Sequence, residues 1–276
     1  MDNSESIIQI NNVASLIESE HTSSTLQPDT LFHFMERVDW LIEIVQNKCI
    51  SERYCQEDIA YLKISGIERL AIPMRCFCDI RLHDLQEHIQ YYGACGIAFP
   101  KHWGMQKGIQ PIHYINPNSK LTNDLSEVFN DSLLNKSKRE SRLQKKLKNY
   151  MLHEIMYTKP DSGNSRNRIS KKEDRKCFTD ECEWRFIPDL SPIDYPTLVV
   201  CDGTNNDYIA KLTESLSAYR EVSLQFEYED IKYLIVENND DFVKLSTVIN
   251  ELQIKDTEKL KLISKIIIWE NSRGDF

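Results

Sequence analysis

The sequence CFTDECEWRF, from Cys177 to Phe186, combines paired carboxylates with aromatic side chains. Side chains of a β-strand alternate between its two faces, so a strand here would place Glu181 and Glu183 on one face and Trp184 on the other. Two carboxylates on one face repel each other, and burying them costs free energy unless a cation lies nearby. The pattern is typical of a functional site. It also fits a solvated strand face with Trp184 packed below.

A basic segment leads into this stretch. Seven cations stand between positions 159 and 176, with few acids among them. They are Lys159, Arg166, Arg168, Lys171, Lys172, Arg175 and Lys176. We predict a polar loop here. Most such loops are merely solvated, but a basic lid beside paired carboxylates could hold a phosphorylated substrate.

Size and composition indicate a globular protein. The 276 residues are 41% hydrophobic and 28% charged, which are ordinary globular values. The net charge of −9 argues against sequence-independent attraction of the whole molecule to nucleic acid. No apolar run is long enough to span a bilayer, and the first ten residues, MDNSESIIQI, lack a signal-peptide pattern. We therefore expect a cytoplasmic protein without membrane contact.

The cysteines do not form a metal-site pattern. The chain has eight, and in a cytosolic protein we expect them to be thiols. Cys76 and Cys78 are spaced too tightly for a zinc knuckle, and His83 and His88 lack a suitably spaced cysteine pair. We expect no structural zinc site.

A magnesium-dependent nuclease is an alternative, because carboxylate oxygens are the ligands that Mg²⁺ prefers. The candidates are Asp79, Glu181, Glu183 and Asp202. Their spacing matches no recognised nuclease signature.

The order of predicted elements indicates an α+β fold with a mixed sheet and flanking helices. Residues 1–28 are predicted to be a flexible N-terminal arm, and residues 29–276 a single domain. Residues 120–158 show helical spacing throughout, which predicts a helical insertion. The basic run Lys136 to Lys148 within it is interpreted as a solvated helix face, with a phosphate-contacting face as the alternative.

Short apolar runs predict the strands. They are Leu31–Phe34, Ala71–Asp79, Tyr91–Phe99, Pro111–Ile115, Thr197–Val200, Val222–Phe226 and Tyr233–Val236. His33 interrupts the first strand. It can be a core residue, but its neutral ring can also donate one hydrogen bond and accept another, which suits ribose hydroxyls. Lys101 and Trp103 follow the third strand in a predicted loop, either as a phosphate-binding corner or as simple packing.

Six segments together resemble the AbiGi family of phage-defence proteins. They are LFHF (31–34), IPMRCFCDI (72–80), YYGACGIAF (91–99), KHWG (101–104), PIHY (111–114) and CFTDECEWRF (177–186). The resemblance covers roughly residues 31–115 and 176–236. The family is described as the antitoxin of an abortive-infection pair. The resemblance therefore implies a role in phage defence and a protein partner from the same defence operon.

A second resemblance concerns the fold. A histidine in the first strand, a helix, a second strand with small polar residues and a late Glu-x-Glu follow one another as in ADP-ribosyltransferases. This similarity implies an ADP-ribosyltransferase-like sheet and NAD as cofactor. It also implies that His33 holds the nicotinamide ribose, that Glu183 stabilises the transition state and that Glu181 positions the acceptor. At the middle position this chain offers Cys76, Cys78 or Tyr92, where that family has Ser-Thr-Ser or Tyr.

On this reading Glu183, Glu181 and His33 are the catalytic residues. The cofactor contacts would be His33, Tyr92, Arg185 and Lys101. Breaking the glycosidic bond of NAD builds positive charge on the ribose, and a fixed carboxylate stabilises that charge most in the transition state. Arg185 lies on the carboxylate side of the strand, where it could keep one carboxylate ionised or bind pyrophosphate.

The sequence therefore supports two functional hypotheses. The first is a phage-defence effector that is ADP-ribosyltransferase-like and acts on NAD and an unknown nucleic acid or protein acceptor. The alternative is a non-catalytic antitoxin, or a sensor subunit of a defence complex.

Overall fold

The structure is a computed structural model that describes residues 27–134 and 141–272. Its strands are β1 (Thr30–Met35), β2 (Cys49–Ile50), β3 (Arg53–Asp58), β4 (Arg69–Cys78), β5 (Cys95–Pro100), β6 (Gln110–Pro111), β7 (His113–Ile115), β8 (Thr158–Pro160), β9 (Ser162–Arg166), β10 (Glu173–Cys177), β11 (Glu183–Phe186), β12 (Val199–Val200), β13 (Leu224–Gln225), β14 (Tyr233–Val236) and β15 (Ile266–Ile268). The predicted arm at 1–28 lies, except for its last two residues, outside the described residues. The single domain at 29–276 stays a prediction.

The α-helices of the same residues surround the strands. They are α1 (Val38–Asn47), α2 (Leu85–Tyr92), α3 (Lys101–Gln106), α4 (Lys120–Phe129), α5 (Arg142–Met156), α6 (Asn206–Leu216), α7 (Asn239–Glu251), α8 (Asp256–Ile263) and α9 (Trp269–Ser272). Every helix in this part of the chain is too short or too polar to cross a bilayer.

A mixed sheet organises the core. Its main path runs β15-β14-β5-β1-β4-β11-β6, and β3 and β12 also pair with β4. Strands β14 and β15 are parallel, whereas the other pairs of this sheet are antiparallel. Strand β1 (TLFHFM) is buried along its whole length, as expected for an apolar strand inside a sheet. The predicted α+β class with a mixed sheet is confirmed.

The sheet is open on one side of β4. Strand β1 pairs with β5 over six residues but with β4 only at Phe32 and Cys78. The other end of β4 pairs with β3, from Met74 opposite Arg53 to Arg69 opposite Asp58. Strand β11 runs along β4 from Cys78 to Arg75. The single β1–β4 pair leaves room beside the middle of β4, and a cavity lies there.

The helical insertion is two helices rather than one. Helix α4 ends at Phe129 and is followed by a π-helical turn, Asn130–Leu134. Ser141 then starts α5 with a capping box, in which its side chain accepts from the Gln144 backbone and the Gln144 side chain accepts from the Ser141 backbone. Continuous helicity over 120–158 is therefore wrong. Part of the basic run, residues 136–140, lies outside the described residues.

Two predicted loops are regular structure. Lys101 to Gly104 forms most of α3, and the burial of Trp103 and Gly104 explains why this segment folds back onto the sheet. The basic segment 159–176 contains strands β9 and β10, which pair antiparallel from Ser162 opposite Cys177 to Arg166 opposite Glu173. We call residues 162–177 the basic hairpin.

Candidate functional site

The paired carboxylates come from two different local structures. Phe178–Glu181 is a 3-10 turn, Cys182 has a left-handed backbone with φ of 42°, and β11 begins at Glu183. The prediction of one strand through both carboxylates is wrong, because the left-handed Cys182 interrupts the alternation. Both carboxylates are nevertheless buried, with exposed fractions of 4% for Glu181 and 6% for Glu183.

Each of the four carboxylate oxygens has a cationic partner. Lys159 Nζ lies 2.7 Å from Glu181 Oε2 and 3.0 Å from Glu183 Oε2. Lys176 Nζ lies 2.8 Å from Glu181 Oε1. Arg185 Nε lies 2.7 Å from Glu183 Oε1. Lys159 therefore bridges the two carboxylates, and the basic hairpin contributes a second lysine.

Arg185 extends the cluster towards strand β3. The residue is fully buried, and its second ion pair is with Glu57 Oε2 at 3.0 Å. It also donates to the Met156 carbonyl at 2.7 Å. Arg185 shares a strand face with Glu183 as predicted, whereas Trp184 packs against the hydrophobic core on the other face. We call Glu57, Lys159, Lys176, Glu181, Glu183 and Arg185 the charge cluster.

The charge cluster is held ionised by its own members. Burial alone would raise the pKa of Glu183, but Arg185 and Lys159 hold it well below its usual value of 4.5. For Glu181 as well, burial would raise the pKa and Lys159 lowers it. The net result is a lowered pKa. Burial would lower the pKa of Lys159, yet the surrounding carboxylates raise it well above 10.5. Three carboxylates thus face three cations, and the cluster is electrically balanced.

Tyr92 adds a neutral donor to the cluster. Its hydroxyl donates to Glu181. Burial, and then the nearby Glu181, raise the pKa of Tyr92 far above 10, so the hydroxyl keeps its proton. Lys176 Nζ lies 3.8 Å from the Tyr91 ring centroid and 4.6 Å from that of Tyr92. Aromatic rings therefore share in holding this lysine.

A cavity of about 110 Å³ adjoins the charge cluster, and His33, Tyr92, Glu181 and Glu183 all line it. His33 Nδ1 lies 2.9 Å from the Cys76 carbonyl oxygen. A carbonyl only accepts, so Nδ1 carries the proton and Nε2 is left as an acceptor. Burial, followed by the charge of Arg75, lowers the pKa of His33 to about 3. The ring is therefore neutral.

The predicted site residues do not all meet at this cavity. His33, Tyr92, Glu181 and Glu183 do, whereas Arg185 is ion-paired with Glu183 but is not among the residues that line the cavity. The buried Lys101 is elsewhere: its ammonium pairs with Asp79 at 2.6 Å and lies 5.6 Å from the Trp184 ring centroid, on the opposite face of β11. The catalytic and cofactor-binding roles of these residues stay predictions.

The candidate magnesium ligands have other contacts. Asp79 pairs with Lys101, and the exposed Asp202 accepts from the backbone of Thr204 and Asn205. Across residues 27–134 and 141–272, no three His, Cys, Asp or Glu side chains are grouped to hold a metal ion. All eight cysteines are free thiols.

Sequence reasoning missed several cavity residues. Arg53, Cys55 and Arg75 line the cavity with Arg168, which was predicted only as part of a loop. Glu57 on β3 was also missed. The available signal was the spacing within RYCQED at 53–58: on a strand, Arg53, Cys55 and Glu57 stand at alternate positions and therefore share one face.

Comparison with known proteins places the chain in a family. A family model described as "Putative abortive phage resistance protein AbiGi, antitoxin" matches residues 48–237. That segment contains every member of the charge cluster. The "Abortive phage resistance protein AbiGi" of Lactococcus lactis subsp. cremoris is 32% identical over 248 residues, which are 81% of this chain and 98% of that protein. No solved structure matches the chain, so the ADP-ribosyltransferase-like fold stays a prediction. The chain belongs to the AbiGi family of abortive phage resistance proteins.

Proposed function

We propose that this chain acts in abortive phage resistance as a non-catalytic antitoxin, which binds and restrains a protein partner. The observation that carries the proposal is the ion pairing of Glu181 and Glu183. A carboxylate that stabilises positive charge on a ribose must face that charge as it develops. Here Lys159 and Arg185 already neutralise Glu183. Its charge therefore stabilises the fold and does not face a substrate.

The size of the cavity supports the same conclusion. Sites for cofactors usually measure about 300–1,000 Å³. The cavity that Glu183 lines measures about 110 Å³ and could hold only part of a dinucleotide. The larger groove beside it, of about 1120 Å³, is lined by Glu181 but not by Glu183. Lysine and arginine residues of the fold itself satisfy the buried carboxylates.

Helix α5 offers a surface for a protein partner. Leu143, Leu147 and Tyr150 are 75%, 40% and 59% exposed. Their spacing of four and three residues places them on one face of the helix. The stripe continues with Met151 and Ile155, which are buried in the core. A row of large exposed apolar side chains marks interaction surfaces, and an apolar helix face fits a groove on a partner.

The test is growth rescue and co-purification. The chain is produced with each neighbouring gene product of its own defence operon, as wild type, as the double variant Leu143→Lys/Leu147→Lys, and as Val243→Lys. Val243 is an exposed apolar residue of α7 and serves as the control. We expect wild type and Val243→Lys to bind the partner and restore growth, and the double variant to lose both. A double variant that binds as wild type does would contradict the assigned surface.

An NAD-dependent ADP-ribosyltransferase is the second candidate, with a nucleic acid or protein acceptor. The observation in its favour is that His33, Tyr92, Glu181 and Glu183 line one cavity, although they lie far apart in the sequence. This function requires Glu183 to exchange its cationic partners for the substrate and requires the cavity to widen.

NAD titration separates the two candidates. Binding is measured by calorimetry and NAD consumption by product analysis, for the chain alone and with its partner. His33→Asn is the matched variant, because its amide can still donate to the Cys76 carbonyl. The antitoxin function predicts neither saturable binding nor consumption. NAD consumption that His33→Asn abolishes, in a protein that unfolds at the wild-type temperature, would replace it with the transferase.

A further inference from the structure

Three arginines line the cavity together with Lys159, Glu181 and Glu183 of the charge cluster. They are Arg53 on β3, Arg75 on β4 and Arg168 at the tip of the basic hairpin. Arg53 and Arg168 are exposed, whereas Arg75 is partly buried. The cavity therefore meets solvent on the side of Arg53 and Arg168, and Arg75 lies deeper.

These arginines have no acidic partner among residues 27–134 and 141–272. Their charges add to a cluster that is already balanced, three carboxylates against three cations. Arg75 donates to the Ser51 carbonyl, and the Arg168 guanidinium lies 5.2 Å from the Tyr92 ring centroid. Neither contact neutralises a charge. The cavity wall therefore carries an excess of positive charge.

The carboxylate of Glu52 does not remove this excess. It interacts with Arg75 from beyond ion-pair distance, and one of its oxygens accepts from the Leu224 backbone at 3.0 Å. Burial raises the pKa of Glu52 to about 7, so much of it is protonated at neutral pH. Burial is the largest cause of the lowered pKa of His33, and the charges of Arg75, Arg168 and Arg53 lower it further. The positive potential therefore extends to the cavity floor.

Size and hydrogen bonding define the group that would fit. A cavity of about 110 Å³ has room for several waters or for one phosphate group. Planar guanidinium groups pair with phosphate oxygens through two parallel hydrogen bonds. His33 Nε2, which has no hydrogen-bond partner among the described residues, can accept from a neighbouring hydroxyl but cannot donate to a phosphate.

We propose that the cavity binds the phosphate group of a small phosphomonoester that also carries hydroxyl groups. Arg53, Arg75 and Arg168 contact the phosphate, and His33 Nε2 accepts from a hydroxyl. The remainder of the ligand extends past Arg53 and Arg168 into solvent. Arg168 belongs to the same hairpin as Lys176, which holds Glu181, so binding would fix the hairpin against the charge cluster. The proposal goes beyond the antitoxin function and does not depend on it.

The experiment is a calorimetric titration of the full chain with ribose 5-phosphate and with inorganic phosphate, at constant ionic strength. The cavity variants are Arg75→Gln and the double variant Arg53→Gln/Arg168→Gln. The matched controls are Arg69→Gln, an exposed arginine on β4, and Arg166→Gln, an exposed arginine on β9. Circular dichroism checks the folding of every protein.

We expect saturable binding of ribose 5-phosphate that is tighter than that of inorganic phosphate. Each cavity variant should weaken it at least tenfold, and the controls should bind as wild type does. Because Arg53 and Arg168 are exposed, the double variant should fold even if Arg75→Gln does not. Absence of saturable binding by folded wild type would overturn the proposal. Equal weakening by the controls, or equal affinity for the two probes, would also overturn it.

Discussion

Lys159 is the residue whose replacement tests the charge cluster most directly. Its ammonium is the only group within ion-pair distance of both Glu181 and Glu183 in the described part of the chain. Lys159→Met keeps most of the aliphatic length but removes the charge. It would leave two buried carboxylates with only Lys176 and Arg185 to compensate them.

The expected loss of stability follows from the burial of the pair. Removing one partner of a buried ion pair leaves an uncompensated charge and costs about 3–5 kcal/mol. The Lys159 side chain is 13% exposed, and those of the two glutamates are 5% and 6% exposed. Solvent therefore screens these charges little. A loss of this size would lower the melting temperature of a chain of this length by on the order of 10 °C.

Chemical denaturation at pH 7, followed by tryptophan fluorescence and circular dichroism, measures the effect. The control is Lys171→Met, which removes a lysine whose ion pair with Glu36 is largely exposed. Exposed pairs contribute only about 0–1 kcal/mol, so the control should unfold close to wild type.

The pH dependence supplies an independent check. In wild type the pKa of Glu183 is depressed when folded, so its stabilisation is present above the usual 4.5 and is lost as the pH falls below that value. Without Lys159, protonation of the stranded carboxylates instead relieves repulsion. The difference between Lys159→Met and wild type should therefore shrink as the pH falls from 7 towards 4.5. If Lys159→Met and the Lys171→Met control had the same free energy of unfolding at both pH values, the idea that Lys159 stabilises the buried carboxylates would be refuted.

Three further substitutions have defined outcomes. The pKa of His33 falls from 6.5 to about 3 on folding, so wild type should lose up to about 1.4 kcal/mol per pH unit from this residue below pH 6.5. His33→Asn should flatten that slope in denaturation curves measured between pH 7 and pH 4. Lys101→Met should cost about 3–5 kcal/mol in the same assay by stranding the buried Asp79, and Asp79→Asn in the Lys101→Met background should restore part of it. Gly93→Ala should lower the melting temperature more than Gly66→Ala. Both glycines have positive φ, but only at Gly93 would a Cβ lie 2.4 Å from a backbone oxygen. Equal losses of melting temperature would contradict this steric reason.

The parts of the site that sequence reasoning predicted are those set by local alternation. Glu183 and Arg185 are two residues apart on one strand, so they share a face and form the expected ion pair. Glu181 also reaches the cluster, but by a different route. Its position depends on Cys182 adopting a left-handed backbone, which residues other than glycine seldom do. No pattern of apolar and polar residues predicts such a turn.

Prediction from the sequence was also limited because residues that lie far apart in the chain meet at the site. Lys159 and Lys176 meet Glu181 because strands β8 to β10 fold back towards the turn that precedes β11. The hairpin strands are polar on both faces, so they lack the alternation by which a strand is normally recognised. Arg53 reaches the cavity because β3 pairs with β4 at Met74. Register of this kind is set by the whole sheet, and the local sequence does not contain it.

The charge cluster also determines which experiment can separate the two candidate functions. Releasing Glu183 from Lys159 and Arg185 carries a penalty of the order of that for breaking a buried ion pair, about 3–5 kcal/mol. At that penalty, fewer than roughly one molecule in a hundred would present a free carboxylate without help. The isolated chain should then fail to consume NAD whether it is an antitoxin or an enzyme that a partner activates. NAD consumption by the assembled complex, compared between wild type and His33→Asn, is therefore the measurement that distinguishes them.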